Sequence, residues 1–165
     1  AASDVYKRQV FVLPWTAIAD APACSSIAAS SGALHELLSQ PLRILTVTGE
    51  AFEGDDTQKA MQVEPLEEVI DVMVERLRDQ HIRRLKDGVC SIDTGVVFLD
   101  VLNNVERISD HCSNVAVRMI GMEGGEDYDS HTLKSIMHHN PTKDYMLEYE
   151  QCRKEYLVPL EQMEA

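Results

Sequence analysis

Two pairs of carboxylates with the same spacing are the residues in this sequence best suited to chemistry. Glu67 and Asp71 form the first pair, and Glu106 and Asp110 form the second, inside the string Glu-Arg-Ile-Ser-Asp-His. Residues four apart lie on one face of a helix, one turn from each other. Like charges at that spacing repel by about 0.2–0.5 kcal/mol, so each pair calls for water, an arginine or a metal ion beside it.

The helices that carry the two pairs are predicted to pack as an antiparallel hairpin. The first helix, over residues 57–87, has apolar residues in steps of three and four, which is typical of a bundle helix. These residues are Val63, Leu66, Ile70, Met73 and Leu77. Gly88 is a favourable residue for ending that helix, and Ser91 for starting a second one that runs to about Gly121. A connection this short makes the two helices antiparallel neighbours.

Hairpin geometry predicts that the four carboxylates meet. When two antiparallel helices are aligned about their connecting loop, the two acid pairs lie about two residues apart along the helix axis. At the helical rise this is about 3 Å. Glu67 directly follows core residue Leu66, and Glu106 directly follows core residue Val105, so both pairs lie on the same flank of their apolar stripe. Oxygen ligands of this kind suit Mg²⁺, Mn²⁺, Ca²⁺ or iron, with the identity left open.

Other interpretations of these residues stand beside the metal site. Asp and Glu make up 28 of 165 residues, so acid pairs also arise by chance on a solvated face. Arg107 and Arg118 are candidates to neutralise the charge instead of a metal. His111 is a further candidate ligand beside Asp110, although a surface or hydrogen-bonding role is the commoner one. His81 falls on the apolar stripe and is predicted to be a packed core histidine.

The net charge and the low aromatic content limit the classes of partner and fold. The net charge of −13 argues against nucleic acid, whose phosphates would be repelled, and favours cations or a basic protein surface. Only 5% of residues are aromatic, which suits helix packing better than a β-sandwich. The longest mostly apolar run, residues 10–19, is too short to span a membrane and contains Pro14.

The four cysteines are predicted to be reduced, buried thiols of a cytosolic protein. They are far apart and form no Cys-x-x-Cys motif, so neither a disulfide framework nor a zinc site is indicated. The four are Cys24, Cys90, Cys112 and Cys152.

The rest of the chain divides into four stretches. Residues 1–9 resemble translated sequencing-adapter read-through and are set aside as a non-native leader. Residues 10–54 give the weakest pattern, with a helix predicted over 27–45 and broken near Pro41. Residues 55–122 form the helical hairpin core, and residues 123–165 add an acidic loop and C-terminal helices to the same domain. One of these helices is predicted over 130–139, and the last begins after Thr142.

Four strings in the hairpin resemble a known family. They are EPLEEVID at 64–71, HIRRLKDGVC at 81–90, GVVFLD at 95–100 and NNVERISDHCSN at 103–114. Together they resemble the PhoU-like domain and, more narrowly, the cytoplasmic C-terminal domain of bacterial Na⁺/phosphate cotransporter family proteins. The resemblance covers about residues 55–120 well and the tail to about 160 more loosely.

The resemblance implies an all-α fold, an antiparallel helical bundle with a PhoU-like three-helix unit and additional C-terminal helices. It also implies a non-catalytic, regulatory role in phosphate uptake at the cytoplasmic side of the membrane. The partner would be a transmembrane transporter portion of the same chain or another membrane phosphate transporter, with a homo-oligomer as a further candidate. PhoU-like proteins bind metal clusters through paired (Glu/Asp)-x-x-x-Asp motifs, which correspond here to Glu67 with Asp71 and Glu106 with Asp110.

Two other classes of function were weighed. A di-iron carboxylate oxidase needs Glu-x-x-His on two helices, and no Glu in this sequence has a His three residues later. A metal-free interaction module, whose acidic edge docks on a basic partner surface, is the main alternative.

Overall fold

The computed structural model describes residues 31–123 and 130–158, and the elements within those ranges are all helical. They are α1 (Ser31–Gly54), α2 (Thr57–Ala60), α3 (Val63–Lys86), α4 (Ile92–Glu123), α5 (Ser130–His139) and α6 (Lys143–Cys152), which a π-helical turn (Arg153–Leu157) continues. The all-α prediction is confirmed. The predictions for residues 1–30, including the leader and Cys24, lie outside the described residues.

The three long helices α1, α3 and α4 pack together around one apolar core. Its largest fully buried aliphatic and aromatic side chains are Leu37, Ile44, Leu66, Ile70, Met73, Leu77, Phe98, Leu102 and Leu157. Burying each of these stabilises the fold by roughly 1.5–3 kcal/mol relative to leaving it in water. The apolar stripe predicted for α3 is therefore the face that the structure buries.

The predicted break in the first helix is wrong. α1 runs without interruption for 24 residues, contains Pro41, and extends to Gly54, beyond the predicted helix end at residue 45. Proline removes one backbone hydrogen bond from a helix. Leu37 and Ile44, on either side of Pro41, are both 0% exposed, and Pro41 is buried as well. Tertiary burial of this face thus outweighs the local cost of the proline.

The connection from α1 to α3 follows local capping rules. The Asp56 carboxylate accepts a hydrogen bond from the Lys59 backbone N–H at 3.0 Å, which caps α2. α3 then begins at Val63, so Pro65 lies in its first turn, where a missing N–H costs nothing. The helix predicted over residues 57–87 is thus divided into α2 and α3, and the first turn of α3 faces α4 and α5 through Glu64.

The tip of the hairpin is closely packed. Gly88 adopts a left-handed φ of 69°, which ends α3 at little strain. His81 is 0% exposed, and its ring lies 4.8 Å from that of Phe98, as predicted for a core histidine. A Cβ atom at Gly95 would stand 2.7 Å from His81 Nε2, so only glycine permits this approach of α4 to α3.

The C-terminal helices return to the side of α3. The Thr142 hydroxyl accepts a hydrogen bond from the Tyr145 N–H at 3.1 Å, which confirms Thr142 as a cap. Tyr145 is buried against α3, whereas the next residue, Met146, is 44% exposed. None of the helices in the described ranges has the length and apolar character needed to cross a bilayer.

Candidate functional site: an acidic flank closed by α5

The carboxylates predicted from sequence lie on one flank of the α3–α4 hairpin, near enough to interact. The charges of Asp110 and Glu106 both raise the pKa of Asp71, and the charge of Asp71 raises that of Glu67. Glu64, one turn before Glu67 on α3, joins this group. We call the five residues Glu64, Glu67, Asp71, Glu106 and Asp110 the acidic flank.

Asp71 occupies the middle of the acidic flank. Burial raises its pKa to about 6, and the charges of Asp110 and Glu106 act in the same direction. Its Oδ1 atom is buried without a hydrogen-bond partner among the described residues. A buried carboxylate oxygen in a folded protein nearly always has a partner, so this atom marks a place where a donor or a cation would be stabilised.

Glu67 is nearly enclosed and is held by a lysine from α5. Burial and, to a smaller extent, the charge of Glu64 raise its pKa to about 7, although the charge of Lys134 opposes the rise. Lys134 Nζ lies 3.0 Å from Glu67 Oε1 and 3.9 Å from Glu64 Oε1. Although burial alone would lower the pKa of Lys134, these two carboxylates raise it. The ammonium group is therefore the positive charge that partly balances this end of the flank.

Glu64 is the functional candidate that the sequence analysis missed. It is 1% exposed, and one of its carboxylate oxygens accepts a hydrogen bond from the buried Ser113 hydroxyl of α4. His138 Nε2 lies 2.9 Å from the other oxygen. The spacing of Glu64, Glu67 and Asp71, three and then four residues, places all three on one face of α3 and was the available signal.

Helix α5 supplies both groups that cover this end of the flank. Lys134 and His138 are one turn apart, so they project from the same face of α5. His138 is exposed to solvent, although its Nε2 reaches Glu64. The partners are 67 and 74 residues apart in sequence, which is why local patterns did not reveal them.

The other end of the flank is neutralised across the hairpin. Arg78 of α3 donates to Glu106 Oε2 at 2.7 Å and to Asn103 at 3.2 Å. Arg107 and Arg118, the arginines considered from sequence, are both exposed. Both members of the Arg78–Glu106 pair are about a third exposed, so the pair contributes less than about 1 kcal/mol.

His111 lies on a different side of α4 from the acidic flank. It helps to line a hollow of about 460 Å³ between α1 and α4. We call its lining the apolar flank: Leu45, Thr48, Gly49, Phe52, Ile108, His111, Cys112 and Val115. On an ideal helix His111 points about 100° away from Asp110, so the structure does not bring it into the carboxylate group.

The fit of a metal ion depends on the position of Lys134. As the side chains stand, no three carboxylate, imidazole or thiolate groups of the described residues converge closely enough to hold an ion. Oxygen donors and the unpartnered Asp71 oxygen nevertheless fit a hard divalent cation. The ammonium group of Lys134 now supplies positive charge at that point. Cys90, Cys112 and Cys152 are buried thiols and belong to no metal-holding group of the described residues.

Comparison with known proteins gives one family match. The sequence profile of the PhoU domain matches residues 34–119, just over half of the chain. The matched region runs from α1 into the last turns of α4 and contains all five residues of the acidic flank. Lys134 and His138 of α5 lie beyond it.

Two curated relatives show how far the likeness extends. The phosphate-specific transport system accessory protein PhoU homolog 1 of Thermotoga maritima is 24% identical over 94 residues, which cover 57% of this chain and 40% of that protein. The accessory protein PhoU homolog of Streptococcus pneumoniae serotype 4 is 29% identical over 96 residues, covering 58% and 44%. The chain thus spans less than half the length of these relatives. No solved structure matches the chain.

Proposed function

This chain belongs to the PhoU domain family, and we propose on that basis that it is a regulatory helical domain acting on phosphate transport. The match across all three long helices is the observation that carries the proposal. The relatives are named as accessory proteins of phosphate-specific transport systems, which supports the same role here. In this proposal the domain works at the cytoplasmic side of a membrane transporter, and its chemistry is binding and not catalysis.

We further propose that the partner is a sodium-dependent phosphate transporter, on the same chain or a separate one. The hairpin strings that resemble the C-terminal domain of Na⁺/phosphate cotransporter family proteins support this partner.

To test the role, the chain is expressed in bacteria that lack their own PhoU protein, and uptake of radiolabelled phosphate is measured. We expect the folded chain to change the uptake rate and Ile44→Asp, which disrupts the core, to have no effect. Unchanged uptake with the folded chain would overturn the proposal.

The acidic flank is proposed to bind a divalent or iron-type cation through Glu67, Asp71, Glu106 and Asp110. The all-oxygen donor set and the unpartnered Asp71 Oδ1 support this, because a hard cation would satisfy that atom and reduce carboxylate repulsion. Two of the ligands come from α3 and two from α4. A bound ion would therefore tie the two helices of the hairpin together.

Thermal unfolding with and without Mn²⁺ or Fe²⁺ tests the cation site. A ligand that binds only the folded state raises the melting temperature. We expect a rise for the wild type and none for Glu106→Ala/Asp110→Ala. The matched control is Glu53→Ala/Asp79→Ala, which removes the same charge from exposed positions and should respond like the wild type. His111→Ala should also respond like the wild type. A wild type that does not respond contradicts the site.

A second candidate function is a metal-free docking module. The observation that favours it is the Lys134 contact, because the acidic flank already accepts a lysine side chain from its own chain. A basic segment of a transporter could then be bound by the same carboxylates. Strong weakening of partner binding by salt, with no metal retained on purification, would favour this function over the first.

A further inference from the structure

Helix α5 contacts α3 through charged and polar side chains. The family match ends before it, at residue 119. Its described polar contacts with α3 are the Lys134 contacts with Glu67 and Glu64 and the His138 contact with Glu64. All of them end on carboxylates of the acidic flank. The described polar contacts between α5 and α3 therefore depend on the charge of that flank.

The Lys134 ammonium group competes for the place that a cation would take. It lies 3.0 Å from Glu67, and the charge of Asp110 across the hairpin also acts on it. A divalent ion bridging Glu67 and Asp71 would lie within a few ångströms of this ammonium group. Two positive centres at that separation in a partly buried place repel each other strongly. One of them has to leave.

We propose that α5 is a releasable cap on the acidic flank, with Lys134 as a built-in competitor, so that cation binding and docking of α5 exclude each other. This inference rests on the cation site of the proposed function. Without the ion, Lys134 holds α5 against Glu64 and Glu67. With the ion bound, Lys134 loses its partner, α5 leaves, and the buried surface around Glu64 and Ser113 becomes accessible.

The helix that follows is anchored independently, so α5 can leave without unfolding the bundle. The Tyr145 hydroxyl of α6 donates to Glu68 of α3 at 2.7 Å, and Cys152 and Leu157 are buried in the core. Between the two helices, Asn140 and Pro141 are exposed and non-helical. The release of α5 can therefore stop at Asn140 and Pro141 and leave α6 in place.

Metal titration of two matched variants tests the competition. Lys134→Met removes the competing charge, and Lys143→Met removes the same charge from an exposed position. Binding of Mn²⁺ is measured by isothermal titration calorimetry on the full chain. We expect Lys134→Met to bind Mn²⁺ at least about ten-fold more tightly than the wild type, and Lys143→Met to bind like the wild type.

Hydrogen exchange on the wild-type chain provides a second readout that does not depend on a variant. We expect saturating Mn²⁺ to speed amide exchange in α5 and to leave α6 protected. If Lys134→Met fails to fold, as judged by circular dichroism, Lys134→Gln replaces it and the wild-type exchange data decide.

The outcomes separate this inference from the cation site itself. If the wild type and Lys134→Met bind Mn²⁺ with equal affinity, or if α5 stays protected when Mn²⁺ is bound, the competition is wrong and the cation site stands. If neither protein binds Mn²⁺, the cation site fails and the releasable cap fails with it.

Discussion

The acidic flank lies along α3 and α4 beneath α5, the apolar flank lies between α1 and α4, and the chain treats the two in opposite ways. On the acidic flank, Glu64 is 1% exposed and Glu67 is 4% exposed. On the apolar flank, Phe52 is 67% exposed and Leu45 is 44% exposed. The chain therefore covers charged groups with its own α5 while it leaves large apolar groups in water.

This difference shows that burial here depends on available partners more than on polarity. Buried carboxylates are costly unless they are hydrogen-bonded or paired with a cation. Ser113, His138 and Lys134 meet that requirement on the acidic flank. The apolar side chains of the other flank need no specific partner. Leaving them exposed forgoes only the hydrophobic stabilisation that burial of a few side chains would give. Four measurements sharpen or break this comparison.

The largest expected effect comes from two apolar residues of α1 that differ in burial. Ile44 is 0% exposed, so Ile44→Ala should lower the free energy of unfolding by about 2–5 kcal/mol. Phe52→Ala, on the open apolar flank, should lower it by less than about 1 kcal/mol. Urea unfolding followed by circular dichroism measures both. A large loss in Phe52→Ala would mean that the apolar flank is closed in solution.

The next effect concerns two buried serines one turn apart on α4, both 0% exposed. Ser113→Ala removes the hydrogen bond that the Ser113 hydroxyl donates to the buried Glu64 carboxylate. It should lower the free energy of unfolding by about 1–3 kcal/mol. Ser109 donates only to backbone carbonyls of its own helix, so Ser109→Ala should cost less than about 1 kcal/mol. The same unfolding experiment compares them. Equal losses would show that Glu64 does not depend on Ser113.

The acidic flank should also make stability depend on pH. The pKa of Glu67 is about 7 in the folded protein against a usual value of 4.5, so the folded state binds more protons between these values. Its contribution is fully present below about pH 4.5 and is lost as pH rises through 7. In metal-free buffer, the wild type should therefore gain on the order of 2 kcal/mol relative to Glu67→Gln between pH 8 and pH 5.

Taking the difference between the two proteins removes the titration of other groups. His81 acts in the opposite direction, because burial lowers its pKa and stability falls as pH drops below 6.5. It is present in both proteins, so its effect cancels. Parallel stability curves for the wild type and Glu67→Gln would contradict the burial of Glu67.

The smallest effect is expected at the solvated rim of the acidic flank. Arg78→Gln removes the partner of Glu106, but both side chains of this pair are about a third exposed. The loss should be below about 1 kcal/mol and should disappear at about 1 M salt, where charges are screened within about 3 Å. Unfolding at low and high salt measures it. If the loss of stability persists at high salt, the Arg78–Glu106 pair is shielded from solvent and this interpretation is wrong.

The sequence predicted the hairpin and its carboxylates because both follow short-range rules. Residues Val63, Leu66 and Ile70 recur at the helical period, and all three are buried. The equal spacing of Glu67 with Asp71 and of Glu106 with Asp110 was enough to set them on one flank. The Thr142 cap was likewise predicted from residue type and position.

What sequence reasoning missed depends on residues far apart in the chain. Pro41 was predicted to break a helix, since its local cost is visible in the sequence and the compensating burial of Leu37 and Ile44 is not. The contacts of Lys134 and His138 with the acidic flank were not predicted. The chain has many basic residues, and no local pattern shows which of them pairs with these carboxylates. Only the return of α5 across the bundle selects these two.

The sequence by itself determined where the helices lie, which faces are apolar, and that two acid pairs share one flank. Backbone propensity, capping and the helical period act over a few residues and are written directly in the chain. The tertiary structure alone decided which carboxylates are buried, which cations meet them, and which apolar flank stays open. Those outcomes depend on desolvation and charge pairing between segments about 70 residues apart, and no local pattern encodes the distance between them.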